Sequence, residues 1–362
     1  MTSRHSEKFS PFNPRPLVVL ASPFSLDHAV HLLLRTVFHS LYTWTFSVPI
    51  YLLSGSSLLI WLSLATDVLW VLRWLSHVKK IRGPMTVLGP RNTKVNIIVT
   101  GGARGLGKGI VNAFLQLYSE DPKSFNLGTI FVVDTIEVSS QSNVVYYKCD
   151  LANKVKTGMV TQEILSTVSR RGEKIDILIN NAGVRQNETF LEISEEKTRN
   201  ILEVNVFAPI ALTKAVVGLH KEFNTKNNAR TSLSVINIAS VLGYLGPSRL
   251  SMYSASKAAL IQAMDSLAHE EDDTLHVATM TPGQMSSVMF RDLDMKHLSF
   301  FAPIVDVDKL GKRIAQLAIT GERGVWGYAL YGALVPIVRL LPYLPWEIIR
   351  SLSTIDTQIK AA

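Results

Sequence analysis

Thr100-Gly101-Gly102-Ala103-Arg104-Gly105-Leu106-Gly107 is the stretch whose reading decides the fold. It follows an apolar, β-branched run, Val95 to Val99, and opens a helix-like run, Lys108 to Leu117. A strand therefore feeds a glycine turn whose far end is a helix N-terminus, where backbone N–H groups and the helix dipole attract pyrophosphate. Glycine is needed there for physical reasons. Gly101 makes the tight turn, while Gly105 and Gly107 let backbone approach phosphate and helix approach sheet without an intervening Cβ.

Beyond this turn, strand-like runs at Ile130 to Asp134, Val144 to Cys149, Ile175 to Asn180, Leu233 to Ser240 and Leu275 to Met280 alternate with helical ones. That alternation implies right-handed βαβ units and an α/β fold: a Rossmann-like, doubly wound parallel sheet with helices on both faces. The second strand ends at Asp134, whose carboxylate can accept hydrogen bonds from adenosine ribose hydroxyls and repel a 2′-phosphate, favouring NAD. Asp134 lies 27 residues beyond Gly107, more than the usual ~20, and the loop Ser119 to Gly128 accounts for the excess. Arg104 argues the other way, since a guanidinium in the glycine turn can bind a 2′-phosphate. NADP therefore stays open.

Composition divides the chain. Of 362 residues only 18% are charged, against about 25% in soluble domains, and no Asp, Glu, Lys or Arg occurs from Thr36 to Thr66. Residues 1 to 94 hold ten Lys or Arg against three acids, whereas the rest is nearly neutral, so the net charge of +8 gives no basic body for nucleic acid. The single cysteine, Cys149, excludes an internal disulfide, and no His and Cys spacing supports a metal site.

Residues 1 to 92 are expected to form a tail, a membrane anchor and a linker. The segment Leu17 to Leu34, broken by Pro23, Asp27, His28 and His31, reads as interfacial. A span at about Phe46 to Leu64, flanked by Tyr42, Trp44, Trp61 and Trp70, meets the ~20-residue requirement for crossing a bilayer. A buried helix of a soluble domain is the other reading of that run. After Asp67 the pattern turns amphipathic, and Arg73, Lys79, Lys80 and Arg82 follow the span while only Arg35 closely precedes it. The positive-inside tendency then puts the catalytic part in the cytosol, with the endoplasmic reticulum the expected membrane. Asn187-Glu188-Thr189, a glycosylation acceptor if lumenal, argues weakly against this.

Four motifs in order, the glycine turn, Asn180-Asn181-Ala182-Gly183, Tyr253-Ser254-Ala255-Ser256-Lys257 and Pro282-Gly283, resemble the short-chain dehydrogenase/reductase family over about Val95 to Ser287. Tyr253 and Lys257, four apart, share one helix face, so an ammonium comes near a phenol whose unperturbed pKa of about 10 is too high for a base at neutral pH. The resemblance implies that Tyr253 exchanges a proton with the substrate oxygen, that Ser240 orients that oxygen, and that Asn205 positions a water for a relay through Lys257. By position it also implies cofactor contacts at Gly101, Arg104, Gly105, Leu106, Gly107 and Asp134. Further contacts are Asp150 and Leu151 near adenine, and Asn181 and Gly183 beside the adenosine half. Lys257 would reach the nicotinamide ribose, and Pro282, Gly283, Met285 and Ser287 would lie near the carboxamide. Met285 and Ser287 depart mildly from the family's β-branched residue and threonine.

The expected domain is 93–324, followed by an apolar extension, 325–362. Leu298, Phe300, Phe301 and Pro303, in a segment 288–304 expected to fold over the substrate, favour a greasy ligand. Pro336, Pro342 and Pro345 exclude a straight spanning helix in the extension. It reads either as a membrane-dipping lip, as a similarity to membrane-bound retinol and hydroxysteroid dehydrogenases implies, or as an element packed on the core or at a homodimer interface. The expected activity is hydride transfer between NAD or NADP and a hydroxyl or carbonyl of a lipophilic substrate. A silent nucleotide-binding scaffold and a tethered reductase of small soluble carbonyls are the alternatives.

Overall fold

The computed structural model describes residues 25–35, 40–55, 57–80, 93–122, 125–137, 142–290 and 298–358. The expected tail 1–16, the linker 83–92 and the middle of the substrate segment, 291–297, lie outside the described residues.

The apolar, β-branched runs become parallel strands: β1 (Val95–Thr100), β2 (Leu127–Asp134), β3 (Val144–Lys148), β4 (Ile177–Asn180), β5 (Leu233–Ile238) and β6 (Leu275–Pro282). A seventh, β7 (Gly324–Tyr328), completes the order β3-β2-β1-β4-β5-β6-β7. The expected boundary after residue 324 is therefore corrected, because the sheet runs on through Tyr328. Gly-Val-Trp-Gly-Tyr is a weak strand former. Pairing places it, with Ala278 to Pro282 in register with Gly324 to Tyr328. Beside it the buried Arg313 guanidinium donates to Glu322 at 2.6 Å and to the Tyr328 hydroxyl at 3.1 Å.

Helices α1 (Leu26–Arg35), α2 (Ser40–Ser54) and α3 (Leu58–Lys80) precede the sheet. Within it come α4 (Gly105–Glu120), α5 (Lys154–Arg170), α6 (Glu195–Leu202), α7 (Ala208–Lys226), α8 (Ser251–Glu270) and α9 (Val307–Thr320). After β7 follow α10 (Leu330–Val338), α11 (Tyr343–Ser353) and α12 (Ile355–Gln358). Strand β1 shows why its run is continuously apolar: Val95, Ile97 and Val99 join the core under α4 and α9, whereas Ile98 joins the core under α5, α7 and α8. The α4 and α9 backbones nearly touch, since a Cβ on Gly311 would lie 2.6 Å from the Gly109 carbonyl carbon.

The expected single helix over 46–64 is also corrected. Gly55, at φ +70°, ends α2, and the chain turns back into α3. A positive φ is open to glycine at little cost and ends a helix. Among the described residues, the helical stretch long and apolar enough to cross a membrane is Glu195–Lys226. It consists of α6, a π turn and α7, whose Leu212, Val216 and Val217 belong to the core.

Candidate active site

The strand order reverses between β1 and β4, so a crevice opens at their C-terminal ends, where open α/β sheets bind ligands. The glycine turn lines it. Gly101 and Gly105 have φ of +65° and +53°, and a Cβ on Gly107 would lie 1.9 Å from the Gly101 carbonyl oxygen. Helix α4 starts at Gly105, with Arg104 exposed at its N-cap position and the Leu106 side chain buried beneath. The Asn181 amide donates to the Thr100 and Gly101 carbonyls, both at 3.0 Å, and so fixes the turn from β4. The Asp134 carboxylate accepts from Ala103 N–H at 2.9 Å and from Ile136 N–H at 3.1 Å, which seats it against the turn. Asp150 is exposed beyond β3, its carboxylate accepting from Ala152 N–H, while the Leu151 side chain is buried in the core.

This cradle fits a dinucleotide. A Cβ would fill it at Gly107, an acid stands at its rim, and the Ser287 hydroxyl at its far end is buried without a hydrogen-bond partner. Met285 bridges to Val305 and packs on the core, so Ser287 is held by a short parallel pairing.

The catalytic candidates converge. Ser240 follows β5 with its hydroxyl accepting from Leu242 N–H at 3.1 Å, and burial pushes the nearby Tyr253 phenol up to about 12 while Ser240 and the Arg185 charge pull it down. Lys257, one turn along α8, is buried and donates to Ile238 O at 2.7 Å, and burial lowers its ammonium to about 8. Its Nζ lies 5.8 Å from the Tyr253 ring centre. Asn205 sits in the π turn Glu203–Phe207, an irregularity that re-aims side chains in helices and marks many functional sites. Its amide is anchored at both ends: Oδ1 accepts from Val184 N–H, and Nδ2 donates to Val184 O and Ser256 Oγ, each at 2.9 Å, which leaves one lone pair on Oδ1. Gly183, expected beside the adenosine half, reaches this end instead, since a Cβ there would lie 3.4 Å from both Asn205 Oδ1 and Lys257 Nζ.

Several contributors escaped the sequence reading. Gln186 Oε1 accepts from Tyr253 N–H at 2.9 Å and its amide donates to Ser251 Oγ, satisfying the start of α8, which lacks its own cap. The Arg185 guanidinium lies 4.9 Å from the Phe290 ring centre, and that ring meets Tyr253 edge-on at 5.8 Å. Next to Ser240 is an apolar pocket lined by Leu242, Leu250, Phe290, Ala302, Tyr331 and Ile355. Two of these come from the C-terminal extension. Tyr331 accepts from Gln284 N–H at 2.5 Å, and its hydroxyl lies where a Cβ on Gly283 would be, 1.8 Å away. The aromatic content of the extension was the available signal.

The short chain dehydrogenase family matches residues 95–297, and the chain belongs to that family. It is an NAD(P)-dependent short-chain dehydrogenase/reductase. The uncharacterized oxidoreductase TDA5 of Saccharomyces cerevisiae is 32% identical over 267 residues, covering 72% of this chain and 76% of that protein. Among solved structures, a 3-oxoacyl-[acyl-carrier protein] reductase from Brucella melitensis in complex with NAD superimposes with a TM-score of 0.56. It shares 23% identity and covers 67% of this chain and 98% of its own. A short chain dehydrogenase from Burkholderia cenocepacia in complex with NADP gives 0.54 at 22% identity, covering 72% and 97%. These likenesses establish the fold.

Proposed function

We propose that the protein interconverts a hydroxyl and a carbonyl on a lipophilic substrate, of the sterol, retinoid or long-chain keto-lipid kind, with NAD preferred. The observation that carries this reading is the apolar pocket opening on Ser240 and roofed by Tyr331 and Ile355. The bound nicotinamide supplies or takes the hydride. The chain supplies the rest. Ser240 holds the substrate oxygen beside the Tyr253 hydroxyl, whose proton affinity it lowers. At neutral pH the Tyr253 phenol is protonated, the state that donates to a carbonyl oxygen as its carbon gains hydride. In oxidation Tyr253 would first give its own proton to solvent, a loss that the Lys257 ammonium and the positive charge of an oxidised nicotinamide would favour, and the phenolate would then take the alcohol proton. Asn205 ties the Val184 backbone to Ser256 through its amide, and the lone pair left on Oδ1 suits the water-positioning part that the resemblance implies.

The membrane reading belongs to the same proposal. Leu52, Leu53, Leu58 and Trp61 of α2 and α3, and Leu340, Tyr343, Leu344 and Leu352 of the extension, are large, apolar and mostly exposed. Contiguous apolar surface of this kind marks a lipid or protein interface. The basic residues Arg73, Lys79, Lys80 and Arg82 after the apolar stretch favour a catalytic part in the cytosol, and the endoplasmic reticulum is the membrane proposed for it. Whole-lipid extracts from cells expressing the intact protein or Tyr253→Phe, incubated with NAD and NADP, test the activity. A lipid pair differing by about 2 mass units and shifting only with the intact enzyme supports it, because hydride plus proton is the load transferred. Turnover confined to small water-soluble carbonyls would replace it with the tethered-reductase reading.

A further inference from the structure

The α2 and α3 pair is built inside out for water. Thr43, Ser47, Ser63 and Thr66 are buried between the helices, with Ser47 Oγ 2.6 Å from Ser63 Oγ and Thr43 Oγ1 3.4 Å from Thr66 Oγ1. At the level of the Thr43–Thr66 contact, Trp44 Nε1 donates to Asp67 Oδ2 at 2.8 Å. The outward faces carry Phe46, Leu52, Leu53, Leu58, Trp61 and Leu69, between 66% and 88% exposed. Small hydroxyl residues at the helix contact and large apolar ones outside are the arrangement that hydrocarbon rewards, since lipid gives no drive to bury leucine but a strong one to pair polar groups. At the turn, the Ser54 hydroxyl donates back to Ile50 O at 2.7 Å, so it needs no water.

Charge and length agree. The charge-free stretch 36–66 is folded about Gly55, so Arg35 before it and Arg73, Lys79 and Lys80 after it belong to the same end of the hairpin. From Ser40 to Ser54 the rise is about 21 Å at 1.5 Å per residue, and over the apolar part of α3, Leu58 to Leu69, it is about 17 Å, both short of the ~30 Å hydrocarbon core. A third observation is independent of both. Helix α1 precedes the hairpin, yet Leu26 N–H donates to Phe300 O at 2.7 Å and the Asp27 carboxylate accepts from Leu330 N–H, at the start of α10. A chain that crossed a bilayer once after α1 would leave α1 and the catalytic domain on opposite sides.

We propose that α2 and α3 form a re-entrant hairpin that enters and leaves the bilayer on one face, with the segment before it and the catalytic domain both on that face. The proposal rests on the membrane reading above and differs from a single span in where the N-terminus lies. Helix α1 touches the substrate segment at Phe300 and α10 at Leu330, which ties the chain before the hairpin to the catalytic domain.

The test uses the full chain with one epitope tag at each terminus, expressed in cells and recovered in sealed microsomes. The expected result is retention in the membrane pellet after alkaline carbonate, with both tags lost together to added protease, or both retained until detergent is added. Carbonate resistance with one tag digested and the other protected would overturn the hairpin and restore a single span. Release of the protein by carbonate would instead overturn the membrane reading on which the proposal rests. A Leu53→Arg, Leu58→Arg pair at the turn should convert the intact chain to a carbonate-extractable form, and unchanged retention would place the turn outside hydrocarbon and overturn the re-entrant reading.

Discussion

Replacing Asp134 by Asn should reverse the preference between NAD and NADP. Oδ2 accepts from Ala103 N–H of the glycine turn at 2.9 Å, and Oδ1 from Ile136 N–H at 3.1 Å and the Thr135 hydroxyl at 3.4 Å, leaving a lone pair on Oδ2 for a ribose hydroxyl. A hydrogen bond to a charged acceptor contributes about 1.5–3 kcal/mol and a neutral one about 1, so NAD should bind roughly 3- to 30-fold more weakly. The 2′-phosphate gains from the loss of a like charge. At about 4 Å and an effective dielectric of about 20 that repulsion is about 4 kcal/mol per charge pair, and screening at a rim reduces it to about 2. The ratio of the two dissociation constants should therefore swing toward NADP by about 100-fold or more. Titration calorimetry with each nucleotide measures it directly. Asn keeps an oxygen for Ala103 N–H, so the melting temperature serves as a folding control. A wild type that binds NADP more tightly, or a ratio unmoved by the substitution, would refute the argument and give the choice to Arg104.

Tyr253→Phe should lower kcat by about 10²–10⁴-fold with the nucleotide dissociation constant within about 3-fold of wild type, measured by steady-state kinetics and titration. Gly283→Ala drives a methyl into the Tyr331 hydroxyl, 1.8 Å away, and should cost about 1–3 kcal/mol in urea unfolding. Adding Tyr331→Ala should recover part of that cost, and strict additivity would show that the two do not meet. His220 and His276 are each lowered to about 4 by burial. The unfolded chain binds their protons first as pH falls from about 6.5, so stability should drop between pH 6.5 and 4. The ceiling is about 3 kcal/mol for each histidine at 1.36 kcal/mol per pKa unit. His220→Gln should flatten the slope, and a stability that rises on acidification across this window would contradict the burial argument.

The sheet's first six strands and the shared helix face of Tyr253 and Lys257 were readable because both are local patterns. A run such as Val95 to Val99 must be buried on both faces, and Tyr253 with Lys257 four residues on must share a helix face. Strand β7 was not readable, because its glycines form a strand only against β6. Gln186 and Tyr331 were hidden for a related reason. Their partners Tyr253 and Gln284 lie 67 and 47 residues away, and nothing nearby announces the pairing. The charge-free stretch announced an apolar element, but its fold into two helices depends on Gly55 and on hydroxyls that recognise each other across the turn.

The sequence by itself determined the parallel α/β fold, the family, the glycine turn from Thr100 to Gly107 and the candidates Ser240, Tyr253 and Lys257, since each is written in spacing along one segment. Only the tertiary structure decided what lines the pocket beside Ser240. It brought Phe290, Tyr331 and Ile355 over Ser240, carried α1 back onto the catalytic domain, and turned the pair α2 and α3 so that its hydroxyls face inward. Such contacts join residues distant in the chain, and their free energy comes from burial and pairing that exist only once the whole chain has folded.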